Sequence, residues 1–219
     1  MRALVLGASG GIGQAISARL DASGWEVNEL SRSQGLDWRK PEQADAAISN
    51  LVGPYEMIFD ATGALEIDGV GPEKQLAAIN AEAMAAQFWV NAIGPALVLK
   101  HHKALLPRGR RSVFATLSAR VGSIGDNRLG GWISYRASKA ALNQIVKTAS
   151  IEVARIRPEA IVVALHPGTV ATDFGARFRG NRDALTADQS AARMLSVLES
   201  LNVEQTGGFF DYSGASVPW

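Results

Sequence analysis

Cysteine is absent from this chain, which removes disulfides, thiolate nucleophiles and cysteine-ligated metals at once. Net charge is almost absent too. The 22 basic and 21 acidic residues leave +1, which gives no electrostatic case for nucleic acid or an anionic membrane as partner. Histidine is scarce. His101 and His102 are adjacent, point to different faces of a helix and do not resemble a metal site, so no metal is expected and the pair reads as a surface feature. No uncharged apolar run reaches membrane-spanning length. Met1 to Leu6 is a short apolar stretch running straight into glycines, without the long apolar core and cleavage site of a signal peptide. A cytoplasmic location is therefore expected, and the missing cysteine fits a reducing compartment. There is no internal repeat and no low-complexity linker.

What remains is an ordinary globular composition, 47% hydrophobic and 20% charged, over 219 residues, enough for one domain (1–219) with a full core. Short apolar runs alternate with helical patterns. Ala3–Leu6, Trp25–Leu30, Leu36–Trp38, Tyr55–Phe59, Arg111–Leu117, Ala160–Leu165 and Gly207–Tyr212 read as strands. Helices are expected over Gln14–Ser23, Pro41–Leu51, most of Asn80–Leu106 with a bend at Gly94-Pro95, Trp132–Ile156 and Ala187–Leu201. The pattern predicts an α/β fold of Rossmann type: a doubly wound parallel sheet of about seven strands with helices on both faces.

The first strand enters Gly7-Ala8-Ser9-Gly10-Gly11-Ile12-Gly13 and a helix opens at once. Glycines let the backbone approach a pyrophosphate, and a helix N-terminus offers free N–H groups and a positive dipole end, so Gly7, Ser9, Gly11, Ile12 and Gly13 are candidate cofactor contacts. The second strand ends at Ser31-Arg32-Ser33. A hydroxyl and a cation at this place, with no acid, suit a ribose 2′-phosphate and favour NADP(H) over NAD(H). Asp37 and Trp38 are candidates at the adenine, and Ala61, Thr62 and Gly63 would let the chain pass close beneath a cofactor. Asn91 lies in an apolar helix, where a buried amide needs partners and a local irregularity would free a backbone carbonyl. Tyr135 and Lys139 are four apart and share a helix face. A neighbouring ammonium favours the phenolate and lowers its pKa, which would suit the pair to proton transfer in a carbonyl–alcohol interconversion. The polar segment Asp173–Arg182, with Phe174 and Phe178, is the expected lid over a substrate.

In their order and spacing these stretches resemble the short-chain dehydrogenase/reductase family along nearly the whole chain. Gly7, Gly11 and Gly13 match its Gly-x-x-x-Gly-x-Gly loop, Tyr135-x-x-x-Lys139 its catalytic pair, Asn91 its helix asparagine, and Pro167-Gly168-x-Val170-x-Thr172 its nicotinamide-side loop. Asp60-Ala61-Thr62-Gly63 stands in the place of Asn-Asn-Ala-Gly. Ser118-Ala119-Arg120-Val121-Gly122-Ser123-Ile124, with Gly130-Gly131-Trp132, Tyr135–Asn143 and the closing Pro218-Trp219, resembles the C-factor and sniffer-like carbonyl reductase subgroup.

The resemblance implies hydride transfer between a nicotinamide and the carbonyl or secondary alcohol of a small molecule. Tyr135 would handle the proton; Lys139 would lower the Tyr135 pKa and hold the ribose; Asn91 would hold a water linking Lys139 to solvent; Val170 would meet the carboxamide. Pro167, Gly168 and Thr172 would line the same side. The family serine, three before the glycine, is replaced by Ala119, and Ser118 is the favoured substitute, with Ser123, or no serine at all, as alternatives. The subgroup also contains cell-signalling proteins, so a C-factor-like nucleotide-binding signalling role with little turnover is the alternative function. The apolar 80–106 and 132–156 helices would suit a helix-paired homodimer or homotetramer. A charge-assisted contact to a 2′-phosphate is worth about ten- to a hundredfold in affinity. Arg32→Asp should therefore shift preference towards NADH by that order, as read by calorimetric titration; a wild type that binds NADH and NADPH equally would refute the assignment.

Overall fold

The structure is a computed structural model, and it describes residues 1–174, 177 and 183–219. β1 (Arg2–Leu6), β2 (Glu26–Leu30), β3 (Met57–Asp60), β4 (Ser112–Leu117), β5 (Ala160–His166) and β6 (Phe209–Asp211) form a parallel sheet in the order β2-β1-β3-β4-β5-β6. A parallel sheet is stable only with both faces covered, and the strands read accordingly: β3 and β4 are buried at every position. Alternate side chains feed two cores. Leu4, Leu6, Ile58, Phe114 and Val162 meet α2 (Pro41–Ser49), α4 (Gly94–Lys100) and α6 (Ile133–Ile156) through Ile48, Val98 and Leu142. Val5, Phe59, Val163 and Leu165 meet α1 (Gly11–Ala22) and α7 (Ala187–Ser200) through Ile16, Met194 and Leu198.

Local chemistry sets the helix starts. α7 opens on a capping box, in which Thr186 Oγ1 accepts from Gln189 N and Thr186 N donates to Gln189 Oε1, each at 3.0 Å. α3 (Ala81–Phe88) is capped by Asn80, whose Oδ1 accepts from Ala83 N at 2.9 Å. The long apolar stretch after it is not a single helix: α3 runs into a π turn (Trp89–Ile93), then α4 from Gly94, then the short α5 (His102–Leu105). None of the described helices is long and apolar enough to cross a membrane.

Two expectations are corrected. Leu36–Trp38 is not a strand, so the described residues form a sheet of six strands, close to the about seven expected. Only five residues separate β2 from Leu36, too few for a parallel crossover, which needs a dozen or more. The segment closes on itself instead, through Gln34 N to Ser31 O, Gly35 N to Arg32 O and Lys40 N to Asp37 O, with Gly35 at φ +96°. β2 is left as the edge strand beside β1. Trp38 joins the core instead: it is 4% exposed, and its ring lies where a Cβ on Gly94 would sit 2.4 Å away. The histidines, second, are not a surface pair. His102 is buried with its Nδ1 bonded to Leu99 O at 2.8 Å, and the half-buried His101 lies 2.7 Å from Asp45 Oδ1.

From β1 the chain moves outward to β2 and then crosses to β3 on β1's other side, so a crevice opens at the carboxyl ends of β1 and β3. If Trp38 is structural in the way its burial implies, Trp38→Ala should cost about 3–5 kcal/mol in urea unfolding. A change within ~0.5 kcal/mol would mark it as a surface-loop residue.

Candidate active site

The crevice holds a cavity of about 660 Å³ whose wall includes Gly7, Ser9, Ser31, Arg32, Asp37, Trp38, Ala61, Thr62 and Gly63. Nine residues singled out from separate stretches of sequence thus meet in one cleft. Gly7, at φ +74°, turns the chain from β1 beneath the β3 exit, and a Cβ there would lie 3.1 Å from the Ala61 and Thr62 backbone. The N–H groups of Gly11, Ile12 and Gly13 have no acceptor among the described residues, as a helix N-terminus built for an anion requires. Gly13 itself serves packing: a Cβ there would lie 2.3 Å from the Gly7 carbonyl oxygen. Gly11 abuts Thr172, whose Cγ2 would be 2.6 Å from an added Cβ, so the nicotinamide-side loop closes against the glycine loop.

That loop is held from behind. Pro167 O accepts from Ser190 Oγ at 2.8 Å, Gly168 turns at φ +81° against the Tyr212 ring, and Ala171 N and Thr169 O pair with Leu185. The N–H of Val170 has no acceptor among the described residues. Of the expected lid, Asp173, Phe174 and Arg177 line the cleft. Residues 175, 176 and 178–182, with Phe178 among them, lie outside the described residues.

At the outer end of the cleft Ser31 is buried, its hydroxyl sharing hydrogen bonds with Ser33 Oγ and Gln34 Oε1 at 3.0 Å each. Arg32 is exposed and has no partner among the described residues. Sequence reasoning missed Arg39, which also lines this cleft. Its guanidinium bonds both Asp68 oxygens at 2.9 and 3.0 Å and reaches Asp37 Oδ1 at 3.4 Å. Burial pushes the Asp37 carboxyl up, but the hydrogen bonds and charge of Arg39 outweigh it and hold the group below its ordinary value.

Tyr135 and Lys139 project from the first turns of α6. Glu73, also missed, organises that helix start: its carboxylate accepts from Ser134 N at 3.2 Å and from the Ser134 hydroxyl, and its carbonyl accepts from Trp132 N at 2.5 Å. No local pattern could have flagged Glu73, which lies 61 residues from Ser134. Tyr135 is 5% exposed, stands edge-on to Trp132 at 6.3 Å and faces a second cavity of about 330 Å³ shared with Glu73, Ala83, Ala86 and Gln87. Lys139 is 2% exposed. Its Nζ donates to Leu117 O at 2.8 Å and lies 6.0 Å from the Tyr135 ring centroid. Burial pushes the Tyr135 phenol above its ordinary value. The expected lowering by Lys139 is thus not present in this arrangement, because the ammonium is directed at the β4 carbonyl. Burial in turn brings Lys139 down to about 8, with Asp60 opposing.

Glycines make room for this lysine. A Cβ on Gly122 would lie 2.7 Å from Lys139 Cβ; one on Gly63 would lie 3.3 Å from Lys139 Nζ and 3.2 Å from Asn91 Oδ1. Asn91 therefore meets Lys139 at Gly63. Fully buried in the π turn, it accepts from Ala64 N and donates to Ala64 O, both at 2.9 Å, and donates to Gln87 Oε1 at 2.6 Å.

Neither serine is hydrogen-bonded to Tyr135. Ser118 Oγ donates to Asn143 Oδ1 at 2.6 Å, and Ser123 Oγ accepts from Asp126 N at 3.1 Å. Asn143 is a third residue that sequence reasoning passed over, although it stands one turn beyond Lys139 on the same face.

The family model described as enoyl-(acyl carrier protein) reductase matches residues 7–210. The chain belongs to the short-chain dehydrogenase/reductase family. Over 140 residues, 62% of this chain and 78% of the relative, it is 44% identical to the C-signal of Myxococcus xanthus. It is 29% identical to the 1-hydroxy-2-glutathionyl-2-methyl-3-butene dehydrogenase of Rhodococcus sp. (strain AD45), covering 99% and 98% of the two chains. Among solved structures it is similar to the NADPH-bound carbonyl reductase from chicken fatty liver, with TM-score 0.82 and 25% identity over 100% and 98% of the chains. It shares its fold with the carbonyl reductase Sniffer of D. melanogaster, at TM-score 0.79 and 21% identity over 100% and 99%. The chain is thus an oxidoreductase of this family.

A lysine depressed to about 8 in the fold and ~10.4 when unfolded binds more protons unfolded between those values, so stability rises with pH across that window. Relative to Lys139→Met, the wild type should gain roughly 2–3 kcal/mol of unfolding free energy between about pH 8 and 10. Parallel urea titrations at each pH check this, and coincident slopes would show that Lys139 titrates normally.

Proposed function

We propose that this oxidoreductase acts between NADP(H), in preference to NAD(H), and the carbonyl or secondary alcohol of a small molecule. The observation that carries the reading is the buried Tyr135–Lys139 pair beside a cleft lined by Gly7, Ser31 and Arg32. The cleft fits such a cofactor: it has a glycine turn that a Cβ would crowd, free N–H groups at the start of α1 and an uncommitted guanidinium at its outer end. Gly11, Ile12 and Gly13 would hold the pyrophosphate, Ser31 and Arg32 the 2′-phosphate, Asp37 and Trp38 the adenine side, and Val170 the carboxamide. The cofactor supplies or accepts the hydride at the substrate carbon.

The chain's own part is the proton. With its phenol held above the ordinary pKa by burial, Tyr135 is neutral near pH 7 and keeps its proton at Oη. It would give that proton to the substrate oxygen as charge develops there. Lys139, at about 8, stays mostly protonated at pH 7 and supplies positive charge behind Tyr135. Asn91 holds the Ala64 backbone and Gln87, fixing the β3 exit beside Lys139. The family's serine hydroxyl is replaced by Ala119, and Ser118 would need to leave Asn143 to reach the substrate oxygen.

A second reading, a signalling protein with little turnover, is favoured by that missing hydroxyl and by the 44% identity to C-signal. The two separate on one experiment. Assayed against a panel of carbonyl compounds, the wild type should oxidise NADPH, and Tyr135→Phe should lower turnover by at least ~10²-fold while cofactor affinity is kept. An inactive wild type that still binds NADPH would favour the signalling reading; a Tyr135→Phe protein with normal turnover would end the mechanism.

A further inference from the structure

Asp60 is a fully buried carboxylate that the mechanism above does not use. It closes β3, paired in register with Leu6 on one side and Thr116 on the other, at the point where the strand ends open into the cleft. Its Oδ1 accepts from Thr62 N at 3.0 Å and Thr62 Oγ1 at 2.6 Å; its Oδ2 accepts from Thr116 Oγ1 at 2.9 Å. The family pattern places an asparagine here. An asparagine could keep the Thr62 contacts without a charge, and a lone carboxylate taken out of water is strongly unfavourable. The charge therefore calls for a partner.

That partner is one residue along β4. Thr116 holds Asp60, and the next carbonyl, that of Leu117, accepts from Lys139 Nζ at 2.8 Å. From the β3 side, Gly63 brings its backbone so near that an added Cβ would lie 3.3 Å from the same Nζ. We propose that Asp60 is the counter-ion of Lys139, a positioning residue that keeps the ammonium charged and seated at the β4 end. The role rests on the reading of Tyr135 and Lys139 as the proton-handling pair.

Among the described residues, Asp60, from β3, is the one acid whose charge acts on Lys139, and Tyr135, from its own helix, is the other titratable group beside it. The π turn presents the neutral Asn91, and the Arg120–Gly122 turn presents Gly122, while the Arg120 guanidinium is committed to Asp126 and Asp211. Burial raises Asp60 above the ordinary carboxylate value, and the threonine hydrogen bonds and Lys139 offset that only in part; burial lowers Lys139, and Asp60 opposes it.

The test is a ¹³Cε NMR titration of the lysines, with the Lys139 signal assigned by its loss in Lys139→Met. In the wild type Lys139 should titrate near 8. In Asp60→Asn it should fall by at least ~1 unit, the least expected on losing an opposite charge at close range. An unchanged Lys139 titration in folded Asp60→Asn overturns the proposal. If that variant does not fold, Lys139→Met carries the test. Burial already raises the folded pKa of Asp60, and loss of the ammonium raises it further, so more of the stability present below its unfolded pKa is lost as pH rises. The melting temperature of Lys139→Met should then fall further below the wild type from about pH 5 to pH 8. A constant difference across that window overturns the pairing. Both readouts need no substrate. A protein that reduces no carbonyl would sink the proposed reaction, and the titration would still decide the ion pair.

Discussion

The ammonium of Lys139 sits inside the protein, 2% exposed, donating a hydrogen bond to the Leu117 carbonyl that ends β4. Taking such an ion out of water costs several kcal/mol even after relaxation, so the surroundings must return most of that. They do so by converging on it. The β4 carbonyl accepts from the ammonium, the β3 exit at Gly63 lies between it and Asn91 of the π turn, and the Arg120–Gly122 turn packs against the Cβ and backbone of Lys139. Each lies on a different element, and each keeps its place only while the sheet register holds. The candidate site is in this sense a by-product of solving one burial problem at the carboxyl ends of β3 and β4.

Close approach of backbone does much of that work. Gly122 lies directly beneath Lys139, Gly63 lies between Lys139 and Asn91, and Gly13 lies over the Gly7 carbonyl. A methyl group at any of these would meet backbone atoms, or side chains that cannot give way. The same economy explains the edge of the sheet. With too few residues after β2 to return as a parallel strand, the chain turns at Gly35 and inserts Trp38 into the core against Gly94. That turn also brings Asp37 and Arg39 to the outer end of the cleft, where Arg39 bridges to Asp68.

The polar groups around Tyr135 are mostly engaged with one another. Ser118 is bonded to Asn143, Ser134 to Glu73, Asn91 to Ala64 and Gln87. These contacts hold the start of α6, and none of them is made to the Tyr135 hydroxyl. Burial alone then sets the phenol's direction of shift, upward, and a neutral phenol is the form that can donate.

Periodicity and spacing determined most of the architecture before any coordinate: six of the seven expected strands, the glycine turn into α1, the long helix carrying Tyr135 and Lys139, and the irregularity at Asn91, which appears as the π turn. These are legible because apolar alternation, glycine and proline act within a few residues of themselves. Only the tertiary structure decided how the side chains are partnered. It turned Lys139 towards Leu117 rather than Tyr135, gave Ser118 to Asn143, set Glu73 at a helix start 61 residues away and bonded Asp60 to Thr116 on the neighbouring strand. It also removed the strand at Leu36–Trp38, because a crossover's length is judged against strands elsewhere in the sheet and not against local propensity. Partnership and charge balance depend on which strand ends lie side by side, and strand order is a property that no local stretch of the chain contains.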